Sequence, residues 1–312
     1  MIKLEEFEYV NFLNFVDEKD VRKFVFGEAE NPAEPIYKYT LWKNAKASLE
    51  DRYFWMSNPS VWEDPFEKYF LNAQYEDSAG NLTGFPFKNK VFCNCLTPDH
   101  NSEAHWITYA KKRLGVSLRI DVKELVDKLN LFGKVNHNDY KVYLGKVSYL
   151  KQSQIQANSI LDIPLYEDSK GRLVTRDIGN PDFCANLMLL KRNSFKHDNE
   201  VRLIIIQKNE NDNINEEVKG KRFQYNYDSA GMLGVYDNDK LISRVYTSPF
   251  FGLDKRDSVR KELEKKKYGF NLYPSYYKNT GKTVYKSRVL RSQLYSSIGS
   301  KKILLYKLGT KI

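Results

Sequence analysis

The run Glu-Val-Arg-Leu-Ile-Ile-Ile at residues 200–206 constrains the fold more than any other stretch of this chain. β-branched side chains fit a pleated surface, and a run apolar on both faces leaves no side for water. It therefore reads as a central strand, with sheet neighbours on both edges and a packed layer on each face. Partner strands are available at 36–40, 53–57, 91–96, 116–120, 142–149, 223–225 and 241–247, each short and β-prone. Helical patterns fall at 42–49, 102–114, 122–131, 183–190 and 254–267. Trp106, Tyr109 and Ala110 make an i, i+3, i+4 stripe in the second, and Asp254 is placed to cap the last. Residues 21–26 suit a short helix or strand, and 61–67 a turn that enters a helix running through Phe70. Segments 77–90 and 209–221 read as loops, and 151–180 as mixed polar chain. Strands and helices mingle without strict βαβ alternation. The expectation is an α+β fold, with a mixed, mostly antiparallel sheet core and flanking helices.

A chain of 312 residues has ample length for a buried core. Three cysteines, an odd number, exclude a disulfide framework. No run approaches the ~20 apolar residues of a membrane span, and the acidic N-terminus lacks the pattern of a leader peptide. The expectation is a soluble, cytoplasmic protein with no membrane partner. Glycine-rich phosphate loops and the Gly-x-Ser-x-Gly elbow are absent. Cys93 and Cys95, with His100 and His105 nearby, invite a zinc reading. Zinc ligand sets come as two spaced pairs, however, and two cysteines on an apolar strand read better as core. His137 and His197 stand in polar segments and read as surface residues. No metal is expected.

The net charge is +10, from 50 Lys/Arg and 40 Asp/Glu, and it is unevenly placed. Residues 255–312 hold 16 basic and three acidic residues, a net of +13, which leaves the first 254 residues at −3. Tyrosines interleave with that tail. Cations for phosphates beside ring faces for bases compose a single-strand binding surface, with Lys265, Lys266, Lys267, Tyr276, Tyr277, Arg288 and Arg291 as its candidate contacts. A solvated helical face explains the same composition. Three segments follow: an acidic stretch at 1–34, an α+β core at 35–253, and a basic, tyrosine-rich end at 254–312.

Three blocks carry more chemistry than packing requires: Tyr37-Lys-Tyr-Thr40 with Trp55-Met-Ser57, Asp64-Pro-Phe-Glu67, and Glu200-Val-Arg202. The last is either a salt-bridged strand edge or a carboxylate oriented by Arg202. Asp64 and Glu67 either shape a pocket or cap the helix after Pro65. In order, Tyr37-Lys-Tyr39, Trp62-Glu-Asp-Pro-Phe-Glu67, Phe92-Cys93, Trp106-x-x-Tyr109-Ala110, Gly115-Val-x-Leu118 and Glu200-Val-Arg-Leu203 resemble the bacterial domain of unknown function 2971 over about residues 35–250. The chain departs from that pattern at Glu63, where the family has Asn, at Thr40, and at the late strand's Val245-Tyr-Thr-Ser-Pro249.

A second resemblance is to ADP-ribosyltransferases, which draw a basic or aromatic residue from a first strand, a Ser or Tyr from a second, and a Glu from a late one. Tyr37, Lys38 or Tyr39, then Ser57 or Tyr109, then Glu200 fill those places, although the usual first-strand His or Arg is missing. The resemblance implies an ADP-ribosyltransferase-like sheet, NAD as substrate, and Glu200, Tyr39 and Ser57 as catalytic residues. Tyr37, Lys38, Trp106, Tyr109 and Arg202 are then the NAD contacts. Glycosidic cleavage passes through an oxocarbenium-like state that a carboxylate stabilises. With the basic tail, the expected activity is transfer of ADP-ribose to single-stranded RNA or DNA. Such an activity suits a toxin or anti-phage effector held by an antitoxin or chaperone protein. A nucleic-acid-binding module without catalysis, a Mg²⁺-dependent nuclease using Asp64, Glu67 and Glu200, and an NAD glycohydrolase remain open alternatives.

Overall fold

A computed structural model describes residues 12–13, 17–27, 34–72, 74–76, 82–100, 102–111, 115–151, 166–167, 173–174, 179–208, 219–225, 241–250, 258–263, 274–275, 284–285 and 289–291. Contacts divide the chain into two interleaved units, one of residues 1–30, 53–96 and 126–232, the other of 31–52, 97–125 and 233–312. The division falls within the helix Val122–Val135. The fold is α+β with largely antiparallel sheets.

The first unit is built on a six-stranded sheet, in the order Phe12–Leu13, Tyr140–Lys146, Val201–Gln207, Val91–Leu96, Tyr53–Ser57, Gly220–Gln224. Every neighbouring pair in it is antiparallel. Val201–Gln207 lies inside it, with six of its seven residues buried, as a run apolar on both faces demands. Ile204 and Ile206 join Val91, Cys93 and Tyr143 in a core closed by the helices Pro65–Asn72 and Pro181–Leu187 through Phe70, Leu71, Phe183 and Leu187. Both helices begin at proline, whose missing N–H costs nothing in a first turn. Asp64 Oδ1 accepts from Phe66 N at 3.0 Å and Asn180 Oδ1 from Asp182 N at 2.8 Å, so each start is capped.

The second unit holds a four-stranded sheet in the order Val289–Arg291, Ile242–Thr247, Gly115–Ile120, Ile36–Leu41. Its first pair is parallel and the others antiparallel. Tyr37, Tyr39, Trp106, Ala110 and Tyr246 form its buried, largely aromatic cluster.

Several elements differ from the sequence reading for local reasons. The 102–114 helix is Glu103–Thr108, capped by Ser102 and followed by Lys111 at φ +43°. Helix 183–190 runs Pro181–Leu187, and Leu190 belongs to a short strand, Leu190–Arg192, paired in parallel with Ser148–Leu150. That second pairing also splits the expected 142–149 strand at Val147. Segment 77–90 is not all loop, since Leu82–Gly84 pairs with Gln74–Glu76. Within 151–180, Tyr166–Glu167 pairs with Leu173–Val174. Of the 254–267 helix, 258–263 is helical, and Asp254 lies outside the described residues. Among those residues no helix is long and apolar enough to cross a membrane.

Candidate functional site

Glu200 immediately precedes the central strand, and its backbone is pinned from both sides. Its N–H donates to the Tyr149 hydroxyl at 2.8 Å, and its carbonyl accepts from Val147 N at 3.0 Å. Asn199, in the left-handed region at φ +42°, ends the 3-10 turn Asn193–Asp198 and folds the chain back, so that Asp198 and Glu200 face one lysine. Lys191 Nζ donates to Asp198 Oδ2 and to Glu200 Oε2, both at 2.8 Å. Arg202, two residues along, donates from Nε to Glu200 Oε1 at 2.6 Å and from a terminal nitrogen to Glu200 Oε2 at 3.3 Å. The same guanidinium also donates to Glu67 Oε1 and to the Met188 carbonyl.

Every nitrogen of Arg202 is therefore used, as a fully buried guanidinium requires. Trp62 lies over its carbon at 4.7 Å, and the indole N–H donates to Ser57 Oγ at 2.8 Å. Ser57 Oγ in turn donates to the Cys93 carbonyl at 3.3 Å. Glu200 and Arg202 thus form one bonded pair, and Ser57 connects to it through Trp62, bonded to the indole N–H whose ring lies against the guanidinium. Asp64 caps its helix and also meets Arg192 through both carboxylate oxygens, at 3.0 and 3.2 Å. Asp64 thus has the capping role, whereas Glu67 spends its charge on Arg202.

The electrostatics follow from burial. Desolvation raises the Glu200 pKa, but the adjacent Arg202 and Lys191 charges outweigh it and hold the carboxyl well below the usual range. Desolvation lowers that of Arg202, and Glu200 and Glu67 more than restore it. The Cys93 thiol is pushed up by burial, and Cys184 likewise. Among the described residues no three His, Cys, Asp or Glu side chains gather as a metal site needs. His137 and His197 lie exposed, as expected.

The other candidates belong to the second unit. Tyr37 and Tyr39 lie buried on one face of Ile36–Leu41, and Lys38 lies half-buried between them in the strand. The Tyr39 hydroxyl donates to the Asp99 carbonyl at 3.1 Å, and its ring meets Trp106 edge-on at 4.8 Å. Trp106 is wholly buried, so its ring offers no surface to a ligand, whereas Tyr109 is 36% exposed. Lys265, Lys266, Lys267, Tyr276, Tyr277 and Arg288 lie outside the described residues. Arg291 ends the strand Val289–Arg291, opposite Thr247.

Sequence reasoning passed over Lys191 and Asp198, which flank a polar turn and carry no motif, and over Arg119 and Arg244, which stand in alternating strands. The family model described as a protein of unknown function (DUF2971) matches residues 105–203. The chain thus resembles that family over the stretch holding Trp106, Tyr109, Gly115–Leu118 and Glu200–Leu203. No curated protein matches it.

Proposed function

We propose that this chain is an NAD-dependent ADP-ribosyltransferase whose acceptor is nucleic acid, single-stranded RNA or DNA. One observation carries the reading. Glu200 is held as an anion at the start of the central strand by Lys191 and Arg202, and the Trp62 ring that lies against Arg202 also bonds Ser57. In the reaction, the bond between ribose C1′ and the nicotinamide nitrogen breaks, and its electron pair leaves with nicotinamide. A nitrogen or oxygen of the acceptor then bonds to C1′ and gives its proton to solvent. Positive charge develops on the ribose between these events, and a fixed carboxylate stabilises it electrostatically. The depressed pKa of Glu200 suits it to that role and not to accepting the proton. Ser57 is proposed as a positioning residue acting through Trp62. The basic, tyrosine-rich end guides the strand, and the activity suits a toxin or anti-phage effector restrained by a partner protein.

A second reading, a binding module without catalysis, is favoured by a specific observation. The Glu200 side chain is 5% exposed and both of its oxygens are engaged. Incubation of the purified chain with labelled NAD and total RNA, DNA and protein, with and without EDTA, separates the two. Label on nucleic acid that survives EDTA and is lost in Glu200→Gln supports transfer. Label on protein changes the acceptor, and free nicotinamide alone means hydrolysis. Shortened nucleic acid that requires metal means a nuclease. Binding without any of these leaves the module.

A further inference from the structure

The sheet of the second unit carries a basic and aromatic face whose two arginines the transfer chemistry above does not use. In register, Tyr37 stands opposite Arg119 and Tyr39 opposite Ser117. On the other side of the same strand, Arg244 stands opposite Arg119 and Tyr246 opposite Ser117. Simple alternation from Ile242, which pairs with Ile120, would send Arg244 to the far face. A bulge between Ile242 and Arg244 inserts Ser243 and reverses this. The inserted Ser243 Oγ accepts from Arg119 at 2.9 Å. Two guanidinium groups therefore share one face on directly opposed residues.

His100 completes the cluster. Its ring stacks on Tyr37, with centroids 4.6 Å apart and planes 16° off parallel, and lies 4.5 Å from that of Tyr246. Its Nδ1 is buried and makes no hydrogen bond among the described residues. No ion pair among those residues involves Arg244. Arg119, Arg244 and His100 are each only partly buried, which leaves solvent a path to them.

We infer that this face binds the phosphate or diphosphate of a free nucleotide, with Arg119 and Arg244 as the two forks and His100 as the third contact. Planar guanidinium groups match phosphate oxygens in pairs. Two opposed arginines span one such group, whereas a nucleic-acid strand calls for a row of cations along its backbone. Tyr37 and Tyr246, both buried, pack against the His100 ring and fix its place beside the two arginines. The assignment rests on this face and not on the transferase reading.

Calorimetric titration of the full chain with ADP, with adenosine as the uncharged control, tests it. ADP is expected to bind about tenfold or more tighter than adenosine, and Arg244→Gln to lose about tenfold or more in ADP affinity. Arg244→Lys, which keeps the charge but not the fork, covers the case in which the first variant misfolds and is expected to weaken binding several-fold. The His100 ring resonances are expected to move on adding ADP to the unaltered protein. Equal affinity for ADP and adenosine, ADP binding unchanged in either Arg244 variant, or binding confined to a single-stranded oligonucleotide each overturns the assignment. Label transfer plays no part in the readout, so a protein that transfers nothing still passes or fails this test.

Discussion

Arg202 bonds the carboxylate of Glu200, two residues behind it, through both Nε and a terminal nitrogen, while the same guanidinium holds Glu67 and the Met188 carbonyl. Residues i and i+2 of a strand point to the same face, so a Glu-x-Arg spacing at a strand's start places the two side chains together. Burial then makes the pair interdependent. Either charge alone, in that place, would keep only its second partner, Lys191 for Glu200 and Glu67 for Arg202.

Replacing Glu200 by Gln is expected to cost about 3–5 kcal/mol of folding stability, because Arg202 and Lys191 then stay buried with their compensation halved. Urea unfolding of the variant measures this. A loss under about 1 kcal/mol would mean that solvent reaches the cluster and screens it.

The same pair sets an acid limit. Glu200 is ionised in the folded chain well below the range in which a free glutamate protonates. Its contribution is complete above that ordinary range, near pH 4.3, and drains as pH falls toward the folded value. Asp182, which burial raises but its bonds to Tyr143 and Lys141 lower further, adds in the same direction. Stability measured from pH 6 down to pH 3 should fall steeply below about pH 4.3, and less steeply in Glu200→Gln. Parallel curves for the two proteins would remove Glu200 as the cause.

His100 provides a local probe of the second unit. Desolvation, followed by the charges of Arg119 and Arg244, lowers its pKa from the usual histidine value. A lowered histidine pKa makes folding less favourable as pH drops below about 6.5, since the unfolded chain then binds the additional proton. Titration followed by NMR should place His100 below the usual histidine value of about 6.5, and Arg244→Gln should raise it. An unchanged value in that variant would remove Arg244 as a cause and leave burial and Arg119.

Two glycines separate crowding from conformational entropy. A Cβ on Gly115 would run into the Ala110 Cβ and the Ala110 carbonyl oxygen, and backbone cannot step aside. Gly115→Ala is expected to destabilise by about 1–3 kcal/mol. Gly133 lies within the helix Val122–Val135 and a Cβ there meets nothing within 4 Å. Gly133→Ala is expected to stabilise by about 0.5–1 kcal/mol. Thermal melts of the two variants should move in opposite directions.

Strands with strong apolar or alternating character were legible in the sequence because their pattern records which faces are buried. Residues 201–207 announce a central strand, and 36–41, 53–57, 91–96 and 115–120 announce their own. The helix at 65–72 announces its start through Asp64 and Pro65. Short pairings were not legible. Leu190–Arg192 and Ser148–Leu150 have too few residues to show a period, and each exists only because the other lies beside it.

The sequence by itself determined the α+β class, the central strand, and the placing of Glu200 beside Arg202, because each depends on periodicity within a few residues. It also determined that the positive charge gathers in the last fifth of the chain. Only the tertiary structure decided that Lys191 and Glu67 would close on that pair from distant segments, and that Trp62 would join it to Ser57. Only the sheet register decided that Arg244 shares a face with Arg119. One inserted residue reverses every side chain beyond it, and whether a bulge forms depends on the neighbouring strand rather than on the strand's own residues.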